Sequence, residues 1–156
     1  MAIAPTFEEY LRVKGVEYDL VEHARSHASW ETAHAARLRG NYLAKAVIVA
    51  DDSGFLMAVV PATHHIQLAW LDKLLQRRLG LVTEPDLVRL FPDCELGAVP
   101  PCGPAYGVQT VVDEALFALP EVYLEAGDHQ TLVQMSGRQF RALLHAHKVA
   151  PYSLHL

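Results

Sequence analysis

Ala46-Val47-Ile48-Val49-Ala50 is the feature that most constrains how this chain folds. The run is apolar at every position, short, and rich in β-branched residues, so it reads as a buried strand that opens at Lys45. Asp51-Asp52-Ser53-Gly54 supplies hairpin-turn chemistry, and Phe55 to Val60 returns as a second strand. Further strands are predicted over Val16 to Glu22, Val108 to Asp113, Glu121 to Glu125 and Thr131 to Met135. Gly127-Asp128-His129 is the turn between the last two.

Helices flank these strands. Thr6 with Glu9 reads as a capping box for a helix that runs to Lys14 and stops at Gly15. Ser29 caps a helix from Trp30 to Arg39, and Leu71 to Leu79 is helical with Gly80 as its stop. Thr83 caps another, with Pro85 in its first turn and Phe91-Pro92 at its end. Ser136 caps the last, which extends toward His147. Hairpins with flanking helices make the class α+β. No glycine-rich strand-to-helix turn is present, which argues against a Rossmann domain or a P-loop.

At 156 residues the chain is expected to be a single domain, residues 1–156. With 51% hydrophobic and 20% charged residues it is not a disordered chain. The longest apolar runs fall short of the ~18–20 residues of a membrane helix. The N-terminus lacks the basic and apolar segments of a secretory signal, so no membrane partner is expected. Cys94 and Cys102 form neither a disulfide framework nor a metal knuckle, which suits a reduced, cytoplasmic protein. Residues 1–78 hold nine Lys/Arg and nine Asp/Glu, whereas residues 79–156 hold four against nine. A broad DNA footprint needs many cations, so DNA is not an expected partner, while a small contact with one nucleic-acid end remains compatible.

Lys45 is a lone cation at the start of an apolar strand. It reads either as a solvated strand-end lysine or as a charge at a pocket mouth that binds a phosphate, carboxylate or carbonyl oxygen. Gly97-Ala98-Val99-Pro100-Pro101-Cys102-Gly103 reads either as a surface connection or as a stiff loop whose amides face a carbonyl that becomes an oxyanion. Its donors would come from Gly97, Ala98, Val99, Cys102 or Gly103, since the prolines have none. The nine histidines include His23 with His27 and the adjacent His64-His65, but no ligand spacing of a metal site, so neither metal nor cofactor is expected. Ser136 lacks a nucleophile elbow, Cys102 has no assignable histidine partner, and His129 is a turn residue that can overlook a pocket.

In order and spacing these features resemble the YbaK and prolyl-tRNA synthetase-associated (INS-like) family of aminoacyl-tRNA deacylases. Leu43-Ala44-Lys45-Ala46-Val47-Ile48-Val49 is similar to the family's lysine-bearing core strand. His65 to Leu74 is similar to its segment leading into a helix, and Gly97 to Pro101 fits its Gly-x-x-x-Pro loop. Val111-Val112-Asp113-Glu114 and Val122 to Gly127 fit its closing strands. The resemblance implies a compact, mixed, partly barrel-like sheet wrapped by helices, and a free-standing trans-editing enzyme that hydrolyses the ester of a mischarged tRNA. It implies Lys45 and Gly97 as catalytic residues, and Ala98, Val99, Pro100, Pro101, Gly103 and His129 as substrate-binding ones. The expected partner is the acceptor end of a mischarged tRNA, with an aminoacyl-tRNA synthetase as a second. The bulk of Val99 and Pro100 points to small acyl groups, and His34 stands where the family leads one to expect an acidic residue. The rival readings are a noncatalytic tRNA- or partner-binding module of the same fold, and a small-molecule esterase or metal hydrolase using the histidines.

Overall fold

The computed structural model describes residues 3–25, 32, 33, 36, 38–144 and 148–155. His27, the Ser29 cap with the start of the helix expected from Trp30, His34, and the end of the last helix at His147 lie outside the described residues. Helix α1 (Pro5–Lys14) is followed by β1 (Asp19–Glu22). The hairpin of β2 (Leu43–Asp51) and β3 (Gly54–Pro61) comes next, then β4 (His64–Ile66), α2 (Leu68–Leu75), β5 (Gly80–Leu81) and α3 (Glu84–Leu90). A long connection with a 3-10 turn at Gly103–Tyr106 leads to β6 (Gln109–Asp113). The order is completed by β7 (Glu121–Glu125), β8 (Thr131–Ser136), α4 (Gly137–Leu144), β9 (Lys148–Ala150) and β10 (Ser153–His155).

The main sheet has the order β1-β8-β7-β2-β3-β6-β9, with β5 added beside β2, and β10 pairs with β4 separately. Pairing is mixed. β2–β3 and β7–β8 are antiparallel, whereas β2–β7, β3–β6 and β6–β9 are parallel. The α+β class and mixed sheet agree with the sequence reading. The strand path is open at β1 and β9, so the curvature does not close into a barrel.

Burial on both faces explains the unbroken apolar run. Ala44, Ile48, Met57, Val59 and Val112 belong to a core that includes Phe7 and Leu11 of α1 and Phe140 and Leu144 of α4. The alternate residues Val49, Leu56, Ala58, Val60 and Val111 join a second core with Leu71 of α2 and Tyr152. A strand covered on both sides has no position left for a polar residue to alternate into. The phenol of Tyr152 reaches two carbonyls on neighbouring strands, Val59 O at 2.9 Å and Val111 O at 2.6 Å, and so ties β3 to β6.

Several local elements differ from the sequence reading. α1 begins at Pro5, and the amide of Thr6 donates to Asp93 Oδ2 at 2.9 Å from across the fold. The Thr6–Glu9 capping box does not form, because Glu9 is held by Arg12 one turn on. α2 starts three residues early and ends at Gln76, which takes the left-handed conformation at φ 54°, so Gly80 is free to join β5. The strand after α1 is confined to Asp19–Glu22. By contrast Thr83 and Ser136 cap their helices as read, accepting from Asp86 N and Gln139 N.

The sheet has one gap. β2 meets β7 only at Leu43 and Ala44, and β5 only at Val49 and Ala50. Between them, residues 45–48 are paired with β3 on one side and with no described strand on the other.

Candidate functional site

A cavity of about 370 Å³ occupies that gap. Its walls are Lys45 to Ile48 of β2, Leu81 and Val82 at β5, Leu87 of α3, Gly97 and Val99 of the long connection, and Glu125 at the end of β7. It is mainly apolar and of a size to take a small organic group. A larger, more open cleft of about 700 Å³ lies elsewhere, lined by Glu17, Asp19 and Glu121 with Arg138. Its wall carries three carboxylates against one guanidinium, a poor match for a phosphate-bearing ligand.

Lys45 is half-buried, and burial alone pulls its ammonium below the usual lysine range. Among the described residues it makes no hydrogen bond or ion pair, and its charge is felt at His64. A partly desolvated cation without a partner is poised to gain from an incoming anion or polarised carbonyl.

Across the cavity the connection is held in place before any ligand arrives. Glu95 N donates to Gly127 O at 2.8 Å, and His129 Nε2 donates to Leu96 O at 2.5 Å. Arg25 pairs with Glu95 and also reaches Asp128 O at 3.4 Å. Asp93 accepts from Tyr106 at 3.0 Å as well as from Thr6. The segment is therefore pinned to the β7–β8 hairpin and to α1. Gly97 sits at φ 83°, a left-handed conformation that glycine adopts without strain.

The amides of this segment divide into used and unused. Ala98 N donates to Glu95 O at 3.1 Å and Cys102 N to Pro100 O at 2.8 Å. Gly97 N and Val99 N donate to nothing among the described residues, and both residues line the cavity. Ala98, Pro100 and Pro101 are buried and do not line the cavity. Gly103 is buried away from it, and a Cβ there would lie 2.5 Å from Val108 O. His129 is 5% exposed at φ 62° and acts on the connection through Leu96. Of the residues singled out from sequence, the structure brings Lys45, Gly97 and Val99 together around one cavity.

Glu125 was not singled out from sequence, where it reads only as the last residue of a strand. It is 2% exposed. Thr32 donates a hydrogen bond to its carboxyl group, and Oε2 has no partner among the described residues. Burial pushes its carboxyl up to about 7, with the Asp128 carboxylate adding to the rise and the Thr32 hydrogen bond opposing it.

Other nucleophile and metal readings find no support in the geometry. Burial pushes both thiols, Cys94 and Cys102, up to about 12, so neither is a ready thiolate. Ser153 Oγ donates to Asp113 Oδ2 at 2.7 Å and lies 2.9 Å from His64 Nδ1. The hydroxyl thus stands between acid and imidazole, and its proton is committed to the carboxylate, the reverse of a serine activated by histidine. Among the described residues no three His, Cys, Asp or Glu side chains gather as a metal site, and no helix is long and apolar enough to cross a membrane.

A family model for the aminoacyl-tRNA editing domain matches residues 23–143. No curated protein matches the chain by sequence. Among solved structures, a proposed trans-editing enzyme for prolyl-tRNA synthetase superposes with a TM-score of 0.83 at 21% identity, covering 98% of this chain and 99% of the other. The hypothetical protein APE2540 gives 0.83 at 23% identity over 96% of this chain and 99% of its own. A proposed signal transduction protein from Marinobacter aquaeolei VT8 gives 0.80 at 21% identity, with 96% of this chain matched to 30% of that longer one. At these identities the likenesses establish a shared fold.

Proposed function

The chain belongs to the aminoacyl-tRNA editing domain family, and on that premise we propose that it is a trans-editing deacylase that hydrolyses the ester of a mischarged tRNA in the cavity beside Lys45. The observation that carries this reading is the pairing of an unpartnered, half-buried cation with two unused amides across one small apolar cavity. The aminoacyl group enters the cavity, and the terminal ribose stays at its mouth. The amides of Gly97 and Val99 face the ester carbonyl, and Lys45 lies near the ribose or its phosphate.

Water adds to the carbonyl carbon, and the carbonyl oxygen gains negative charge as the tetrahedral intermediate forms. Donors already fixed in place stabilise that charge without reorganising, and in acyl transfer this stabilisation supplies much of the rate enhancement. The carbon–oxygen bond to ribose then breaks, the ribose oxygen takes a proton, and free amino acid and tRNA leave. An activated ester needs little beyond positioning and oxyanion stabilisation, so no triad or metal enters the scheme.

The test is hydrolysis of a panel of mischarged tRNAs by wild type and Lys45→Ala. Loss of a charge-assisted contact that strengthens in the transition state should slow turnover by roughly 10–150-fold while the thermal melt stays unchanged. Wild-type rates from the variant on every active tRNA would remove Lys45 from the mechanism. Binding without hydrolysis by wild type would favour the noncatalytic module.

A further inference from the structure

Among the described residues of the cavity wall, Glu125 is the one buried ionisable group that the hydrolysis scheme leaves unused. It is 2% exposed, and of its two carboxyl oxygens one takes the Thr32 hydroxyl while Oε2 lacks a partner. The cavity it lines is otherwise mainly apolar. Glutamine would hold Thr32 equally well at a lower desolvation cost, so packing alone does not account for an acid here. Among the described residues the charged groups around it are the Asp128 carboxylate, which is felt at Glu125, and Lys45 on another part of the cavity wall. Neither supplies Oε2 with a donor.

We infer that Glu125 is the receptor for the α-ammonium group of the bound aminoacyl ester. This rests on the deacylase reading and adds a substrate requirement to it: the acyl group must carry a free α-amine. The chemistry fits the atoms present. An aminoacyl ester places a cationic nitrogen one carbon from its reacting carbonyl. When that carbonyl faces the amides of Gly97 and Val99, the ammonium needs an acceptor in the same cavity. Among the described lining residues Glu125 has the only carboxyl group, and its unpartnered oxygen is the acceptor. The contact orients the acyl carbon toward the amides, and it separates aminoacyl-tRNA from any tRNA whose amine is blocked or missing.

The experiment compares each aminoacyl-tRNA that wild type hydrolyses with its α-hydroxyacyl counterpart, made by nitrous acid deamination. A charge-assisted contact predicts that wild type favours the amine by at least about 10-fold in kcat/KM. Glu125→Gln should raise KM for the aminoacyl ester and bring the two substrates within about threefold, leaving the hydroxyacyl ester nearly unaffected. Binding to wild type of two non-hydrolysable adenosine 3′-amides, alanyl and lactyl, gives the same comparison without a variant, and the alanyl amide should bind more tightly. Equal treatment of amine and hydroxyl by wild type overturns the inference while the deacylase stands. An equal fall in kcat on both esters in Glu125→Gln also overturns it, and assigns Glu125 to water activation or to holding the fold. Absence of hydrolysis on every tRNA overturns the deacylase reading, and this inference falls with it.

Discussion

Replacing Glu125 with glutamine keeps the shape and the Thr32 contact but removes the ionisation, so it isolates what burying this acid does to the free protein. In the fold the carboxyl is held at about 7 rather than the usual 4.5, chiefly by burial. The native state therefore keeps a proton that the unfolded chain gives up at lower pH. Its contribution to stability is fully present below about pH 4.5, is lost as pH rises, and is gone above about pH 7. The interval between the two values, at 1.36 kcal/mol per pH unit, amounts to about 3 kcal/mol. With Glu125 2% exposed, solvent screening takes little from this figure. Urea unfolding of wild type and Glu125→Gln at several values from about pH 4 to about pH 8 gives the difference in stability at each. The variant should gain steadily on wild type across that range, by about 3 kcal/mol in all. Other titrating groups are common to both proteins and cancel. A difference that stays constant across the window would show that Glu125 titrates as an exposed acid, and would remove the physical basis for its place in the cavity.

Three further outcomes are expected. Gly97→Ala places a side chain on a residue at φ 83° and should lower the hydrolysis rate, by up to about 2.7–4 kcal/mol if the amide no longer meets the oxyanion; full single-turnover activity would exclude Gly97. Val99→Ala enlarges the cavity without touching a donor, and should admit larger aminoacyl groups by about 1–3 kcal/mol per methylene-sized space. A substrate profile identical to that of wild type would mean Val99 does not bound the acyl group. Tyr152→Phe leaves two buried carbonyls without their shared donor and should cost about 1–3 kcal/mol, read as a lower melting temperature.

What sequence reveals and what it conceals divide along physical lines. The β2–β3 hairpin is legible because burial on both faces removes every polar position, and because Asp51 to Gly54 has turn chemistry of its own. Thr83 and Ser136 are legible because a cap is a local hydrogen bond. Asp93 capping α1 in place of a Thr6–Glu9 box is not, since the donor and acceptor are 87 residues apart. The three-residue strands β4, β9 and β10 carry too little pattern to stand out. At the site, Lys45 is visible as a lone charge before an apolar run, and the Gly97 segment by its glycine and prolines. Which of its amides stay unused depends on a turn that engages Ala98 and spares Gly97 and Val99. Glu125 is hidden because only the gap along β2 between β7 and β5 turns the last residue of a strand into a cavity wall.

The parallel contact between β2 and β7 has a consequence for when the site comes into being. Leu43 and Ala44 wait for Tyr123 and Leu124, some eighty residues further along the chain. Such pairings close late, because the intervening segment must first be ordered. A nascent polypeptide that has left the ribosome only as far as β6 already carries Lys45, Gly97 and Val99. It still lacks Glu125, and it lacks the hairpin to which Arg25, Glu95 and His129 fasten the loop. The partly synthesised chain therefore holds every sequence-legible part of the cavity and no cavity, and the site can form only once β7 and β8 have followed.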